Sequence, residues 1–344
     1  MKKLKITGIT NQDSGVGFYR INQPLRHIGD QKLAKVHTMP FWGQHSTHLT
    51  DPEFIDYFDL ESKWSDVIFS TIGSDRHYLA LLMAMRDRNG CKLVIDADDD
   101  MLSVHTEPSN PAYASYLDPQ GRHSEFCQYS LMQADLVTVS TEYLKERYKH
   151  LNDNIVVVKN CIDKKFFNHK SKSDDITIGY AASGTHQKDW EMVEPILKKL
   201  KKKYGVKIKM IGPMQSNIVD EQVNWVEMLK YPKELANMGF TIGIAPIRDS
   251  LMSRAKSGLR WMEYSAYKIP TVASNVVPFR GIENILLASE PEDWYAHLEK
   301  LILDKKLRTK LGQKAYNELG ESYDPNYWSG KLHEAIQSLF IQGK

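Results

Sequence analysis

The feature that most constrains this chain is a regular exchange of brief, largely apolar runs with longer segments of helical period. Residues 4–9, 67–69, 93–95, 136–139 and 155–158 are short and rich in Val, Ile and Leu, the pattern of strands buried on both faces. Between them, residues 18–27, 76–88, 124–133 and 141–148 repeat their apolar positions at helical spacing. Buried strands alternating with helices pair in parallel, because each helix carries the chain back to the same end of the sheet. A polar stretch at 166–175 separates this series from a second one. That series has strands at 176–180, 207–211, 241–245 and 271–273, a helix at 189–204 and another after Lys256. The expectation is an α/β chain of two doubly wound domains, residues 1–168 and 169–322. Helices at 290–303, 305–319 and 326–342 close the chain. No repeat of fixed period and no low-complexity tract interrupts this order.

Composition agrees with two soluble cores. The 344 residues are enough for two domains that each bury a core of their own. Lys plus Arg number 45 against 43 for Asp plus Glu, a net charge of +2, so no global field draws the protein to nucleic acid or to a membrane. The N-terminal Met1-Lys-Lys-Leu-Lys-Ile-Thr7 lacks the apolar core of a signal peptide, and no run approaches the ~20 apolar residues of a membrane span. A cytoplasmic protein with no integral membrane segment is expected. Cys91, Cys127 and Cys161 are too few and too scattered for a disulfide framework or a cysteine zinc site, so buried, reduced thiols are expected.

The strongest local signal is the run Ala255-Lys-Ser-Gly-Leu-Arg-Trp-Met-Glu263. It reads as a loop with small residues feeding a helix, which offers free backbone N–H groups and the positive end of a helix dipole to an anion. Lys256 adds a cation, and Ser257 and Gly258 allow close approach. Glu263 lies about a turn and a half deeper, where a carboxylate accepts hydrogen bonds from sugar hydroxyls. An ordinary helix start with a salt-bridged Glu is the competing reading.

Other segments fall at the carboxyl ends of strands, where open α/β sheets hold ligands. The first is Asn11-Gln-Asp-Ser-Gly-Val-Gly-Phe-Tyr-Arg20, in which Gly15 and Gly17 permit close approach and Arg20 sits a turn inward. Ser183, Gly184 and Thr185 precede a helix expected to be capped by Asp189, with His186 and Lys188 within reach of a diphosphate. Gly212 ends a strand, Tyr231 opens a short helix, and Ala245, Pro246 and Ile247 offer an apolar border for a nucleobase.

Taken in order, Ile178-Gly-Tyr-x-x-Ser-Gly-Thr-His-x-x-Asp-Trp190, Ile211-Gly-Pro213, Tyr231-Pro-x-x-Leu-Ala236, Ile244-Ala-Pro246 and Ala255-Lys-Ser-Gly-Leu-Arg-x-x-Glu-Tyr-x-Ala-x-x-x-Pro-Thr-Val-Ala-Ser274 resemble the donor-binding domain of GT-B glycosyltransferases. The resemblance is to the broad family 4 or family 1 type, including bacterial and phage forms. It covers residues 176–320 specifically, and the first half only through Gly15-Val-Gly17 and its architecture. It implies two Rossmann-like domains and a diphosphate on the backbone amides near Lys256, Ser257 and Gly258, with Glu263 on the donor ribose or sugar. The implied transfer is retaining, with a nucleotide-sugar co-substrate, no cofactor and no required divalent metal. In this chain Ala255 stands where many family members have a second Glu.

Asp96-Ala-Asp-Asp-Asp100 follows a strand of the first domain. Asp98 and Asp100 are assigned to acceptor orientation or base assistance, against the alternative of a solvated, capped loop. The basic run Lys198–Lys209 spans a helix end and the next strand, where Lys complements the helix dipole. Trp42, His45 and His48 lie in an expected acceptor-side loop. Every fourth residue from Trp328 through Leu332 and Ile336 to Phe340 is apolar, so residues 323–344 are expected to form a helix that crosses back to the first domain. Three functions are compatible with these residues. The first is sugar transfer to a glycan or small-molecule acceptor. The second is sugar transfer to a modified base in DNA, with Arg20, Arg26, His27, Arg76, Arg86, Arg88, Arg122 and Lys145 as a basic face. The third is non-catalytic binding of a nucleotide sugar.

Overall fold

A computed structural model describes residues 3–10, 14–40, 52–107, 122–171 and 175–341. It divides into two compact units, one of residues 1–160 with 325–344 and one of residues 161–324. The expected signals at Trp42, His45 and His48 lie outside the described residues.

The first unit runs β1 (Lys5–Thr10), a π-helical turn (Gly17–Asn22) continued by α1 (Gln23–Asp30), β2 (Lys35–Pro40), α2 (Pro52–Trp64), β3 (Val67–Thr71) and α3 (Arg76–Asn89). It continues with β4 (Lys92–Ala97), a 3₁₀ turn (Met101–Thr106), α4 (His123–Gln133), β5 (Leu136–Val139), α5 (Glu142–Tyr148) and β6 (Ile155–Val157). The sheet order is β2-β1-β3-β4-β5-β6, with every pairing parallel.

The second unit contains β7 (Thr177–Ala181), α6 (Gln187–Tyr204), β8 (Lys207–Ile211), β9 (Glu221–Val223), α7 (Tyr231–Asn237), β10 (Ile242–Ala245) and α8 (Leu251–Ala255). Then follow α9 (Leu259–Ala266), β11 (Thr271–Ser274), β12 (Leu286–Ala288), α10 (Pro291–Leu303) and α11 (Lys305–Ser322). Its sheet is β12-β11-β10-β7-β8-β9, again parallel throughout. The last helix, α12 (Pro325–Ser338), belongs to the first unit. Its Leu332 and Ile336 are buried with Ile21, Leu25 and Ile28.

Strand order reverses between β1 and β3 in the first sheet and between β7 and β10 in the second. At such a reversal the loops diverge to opposite faces and leave a crevice at the carboxyl ends of the strands. The second reversal is tightly built. Gly179 and Gly243 face each other across β7 and β10, and a Cβ on either would lie 1.9 Å from Phe240 Cγ or 2.3 Å from Tyr264 Cδ2. The Tyr264 hydroxyl accepts from Ala181 N at 2.9 Å and donates to Ile244 O at 3.3 Å, fastening the two strands together.

Several expectations change. The units divide after Asn160, not after residue 168, because Phe167 packs its ring against Tyr231 and Tyr267 of the second unit at 6.5 and 6.0 Å. Strands β2, β9 and β12, all sheet edges, have no counterpart in the apolar pattern; the first two mix polar with apolar residues (Lys35-Val-His-Thr, Glu221-Gln-Val) and the third is only three residues long. Ala255 closes the short helix α8, started by a Ser250–Ser253 capping box, instead of lying in a loop. Helix α6 starts at Gln187, so Asp189 sits inside its first turn and is not the N-cap.

Candidate functional site

The loop after β7 begins with exposed Ser183, whose hydroxyl lies 2.8 Å from that of Thr185, and turns through Gly184–His186 into α6. His186 is only 9% exposed. Its Nδ1 lies 2.7 Å from Asp189 Oδ2, and Asp189 Oδ1 accepts from Arg248 N at 2.9 Å and Arg248 Nε at 3.2 Å. Asp189 therefore ties the loop after β7 to the loop after β10. Burial pulls the His186 pKa down to about 4, and the nearby Arg260 and Lys256 charges act in the same direction. Burial works to raise the Asp189 carboxyl, but contacts with His186 and Arg248 hold it below its ordinary range. The pair is thus a carboxylate beside a neutral imidazole near neutral pH. Lys188 is exposed on the first turn of α6.

Across the reversal, Lys256, Ser257 and Gly258 link α8 to α9. A Cβ on Gly258 would lie 2.8 Å from Ile282 Cδ1, so its small size serves packing. Glu263 is 8% exposed and accepts from the Tyr231 hydroxyl at 2.9 Å. Burial, with the Glu263 charge beside it, keeps Tyr231 a phenol. One turn before Glu263, Arg260 Nε donates to Ala181 O at 2.6 Å and its guanidinium covers the Tyr180 ring at 5.0 Å. Arg260 Nη1 is buried without a hydrogen-bond partner. The sequence pattern offered Arg260 no role of its own, although its position three residues before Glu263 on one helix was a usable signal. Trp225, two positions beyond the edge strand β9, is 68% exposed.

Three expected donor contacts are packing residues instead. Ala245, Pro246 and Ile247 are buried, with Ile247 N bonded to Ser274 Oγ at 2.9 Å. Gly212 takes φ +133°, and a Cβ there would lie 1.9 Å from Ala182 O. Its N–H donates to Val223 O at 2.8 Å, holding the end of β8 to β9. The structure thus brings Ser183, Gly184, Thr185, His186, Lys256 and Glu263 together at one strand reversal, with Gly212 shaping its edge.

In the first unit, Gly15 is exposed, with nothing within 4 Å of an added Cβ, while Gly17 is buried and its N–H donates to Ser14 Oγ at 2.9 Å. Arg20 is not an open cationic group. It is 2% exposed, grips both oxygens of Asp96 at 2.9 and 2.7 Å, and donates from Nη1 to Val158 O and Asn160 Oδ1. Asp100 is fully buried and caps the 3₁₀ turn through Leu102 N, with Arg147 Nε at 3.0 Å, which corrects its assignment to the reacting groups. Asp98 is half-buried at the end of β4 and accepts from Asn160 Nδ2 at 3.1 Å. Burial, with Asp99 and Asp96 nearby, pushes its carboxyl pKa up, against the pull of Arg20. The three thiols are free and buried, Cys91 and Cys127 being pushed by burial to about 11 and about 12. Among the described residues, no group of three or more His, Cys, Asp or Glu is arranged to hold a metal ion, and no helix is long and apolar enough to cross a membrane.

No protein-family model matches the chain, and no curated protein sequence does. Solved structures do. The chain is similar to the α-glucosyltransferase AGT in complex with UDP, with a TM-score of 0.70 at 12% identity, covering 97% of this chain and 100% of that one. Anabaena HepE in complex with UDP and glucose superposes with a TM-score of 0.68 at 11% identity and the same coverage. A glycosyltransferase from Rickettsia africae gives 0.64 at 13% identity over all of both chains. The fold is GT-B, two Rossmann-like α/β units.

Proposed function

We propose that this protein is a glycosyltransferase that moves a sugar from a nucleoside diphosphate to an acceptor hydroxyl, with retention at the anomeric carbon and without a required divalent ion. The observation that carries this reading is the meeting of Lys256, Arg260, the Ser183–Gly184 turn and Glu263 at the β7/β10 reversal. A departing diphosphate gains negative charge as the glycosidic bond breaks, and fixed cations and backbone N–H groups in a partly buried site stabilise that charge most where it develops. Lys256 and Arg260 fill that role. Glu263, with one oxygen held by Tyr231, presents a carboxylate for ribose or sugar hydroxyls. Trp225 offers an exposed aromatic face for the base. UDP-sugars are the favoured donors, because AGT and HepE are each described in complex with UDP.

In the proposed step the acceptor oxygen bonds to the anomeric carbon on the face the diphosphate leaves. The bond from that carbon to the phosphate oxygen breaks, and the acceptor proton passes to the departing phosphate. Asp98 is assigned to hold the acceptor hydroxyl in the first unit. The test is thermal unfolding with UDP, dTDP, GDP and ADP, followed by measurement of UDP release from UDP-glucose. A bound nucleotide at ~100 times its Kd adds about 2.7 kcal/mol. If none of the four shifts the transition, the reading falls.

A further inference from the structure

In the first unit, directly after β3 and so beside its strand reversal, the chain passes through Ser74 and Asp75 into α3. Facing this turn is the start of α4, where His123 Nδ1 donates to Ser74 O at 2.7 Å. Between the two helix starts lies a cavity of about 370 Å³ lined by Ser74, Asp75, Arg76, His77, Arg122, His123 and Phe126. Its lining carries two guanidinium and two imidazole groups against one carboxylate. Arg76 is exposed and makes no hydrogen bond or ion pair among the described residues. Arg122, which adopts a left-handed φ of +49°, turns Nε and Nη2 to one oxygen of Glu125. The Asp75 carboxylate uses Oδ1 to cap α3 through His77 N and Tyr78 N, both at 2.9 Å, which leaves Oδ2 as an acceptor for a hydroxyl.

We propose that this cavity binds the phosphate of a phosphorylated small-molecule acceptor, a sugar phosphate or a comparable phosphomonoester, with Arg76 and Arg122 on the phosphate and Asp75 on a hydroxyl. The proposal rests on the transferase reading above, since it names the acceptor of that reaction. Guanidinium groups match phosphate oxygens in shape and charge, and a pocket of this volume is larger than a bare phosphate and suits a phosphorylated ring. A nucleic-acid backbone asks for a row of open cations, one per phosphate neutralised. Four arginines of the first unit are already engaged. Arg20 is buried on Asp96, Arg86 is bound to Asp87 and Gln133 O, Arg88 stands 3.5 Å from Asp59, and Arg147 is held by Asp100.

The experiment is isothermal titration of the full chain with inorganic phosphate, glucose 6-phosphate and glucose, each with and without saturating UDP. Glucose 6-phosphate and phosphate should bind and glucose should not. Arg76→Gln and Arg122→Gln should each weaken glucose 6-phosphate at least tenfold while leaving UDP affinity and the unfolding midpoint unchanged. Absence of phosphate binding in the wild type, equal binding of glucose, or unaltered affinity in both variants overturns the proposal. So does salt-dependent binding of a DNA duplex that Arg76→Gln removes. A phosphate isotherm abolished by Arg76→Gln stands whether or not UDP binds, so failure of the donor reading and failure of this site are told apart.

Discussion

Replacing Arg20 by Met separates a fold-holding role from a ligand-binding one. In the native protein the guanidinium satisfies both oxygens of Asp96, the Val158 carbonyl and Asn160, and Asp96 is 1% exposed. Met keeps most of the volume and removes the charge. Asp96 then retains the Thr138 hydroxyl at 2.6 Å but loses its counter-charge, and breaking a buried pair from one side costs about 3–5 kcal/mol. In a unit of this size each kcal/mol moves the midpoint by roughly 2–4 °C, so the first unit should melt about 6–20 °C lower. Differential scanning calorimetry, backed by limited proteolysis to assign the transition, measures it. Arg20→Met with Asp96→Asn should recover at least half of the loss, since neither charge is then left alone. UDP affinity should not change in either variant. A single variant that melts within ~1 kcal/mol of wild type, or one whose main defect is in nucleotide binding, would refute the argument.

Other outcomes follow from the same structure. Glu263→Gln should weaken UDP-sugar binding about 10- to 100-fold with little loss of stability, because a hydrogen bond to a charged group contributes about 1.5–3 kcal/mol and the amide oxygen still accepts from Tyr231; calorimetric titration reads this directly. Trp225→Ala should weaken UDP by roughly 5- to 100-fold and leave pyrophosphate unaffected, base stacking being worth about 1–3 kcal/mol; equal losses for both ligands count against a base contact. His186 binds its proton less readily folded, at about 4, than at the ordinary 6.5, so its contribution is complete above pH 6.5 and is lost as pH falls toward 4. That amounts to at most about 3 kcal/mol, and urea midpoints of wild type should fall more steeply from pH 7 to 4.5 than those of His186→Gln. Ending the chain at residue 324 removes Leu332 and Ile336 from the first core at about 1.5–3 kcal/mol each; protease should then attack residues 1–160 while 161–324 stay protected.

The alternating pattern revealed the central strands of both sheets because they are buried on both faces and consequently apolar. The edge strand β9, Glu221-Gln-Val223, is largely exposed and carries no such mark, whereas the edge strand β6 is apolar and does. The loop-to-helix passage from Lys256 to Glu263 was legible because the chemistry of a helix start is local. Arg20 was not, since its partner lies 76 residues away and only the folded sheet shows that the side chain points inward. Asp100 escaped for the same reason: Arg147 and its own capped turn take up its charge. The burial of Ala245 to Ile247 was not legible, because an apolar strand end reads alike whether it faces a ligand or the next helix.

The placement of α12 also bears on the order in which the protein is made. The second unit is one unbroken stretch, residues 161–324, whereas the first needs residues 325–344 to complete it. On a ribosome adding about 5–20 residues per second, the early sheet waits roughly 10–40 s before Leu332 and Ile336 exist to cover Ile21, Leu25 and Ile28. During that interval, while residues 161–324 are being added, the apolar face of the first unit lacks its cover. The first half of this protein is thus synthesised first and finished last, and it is the half that chaperones should meet.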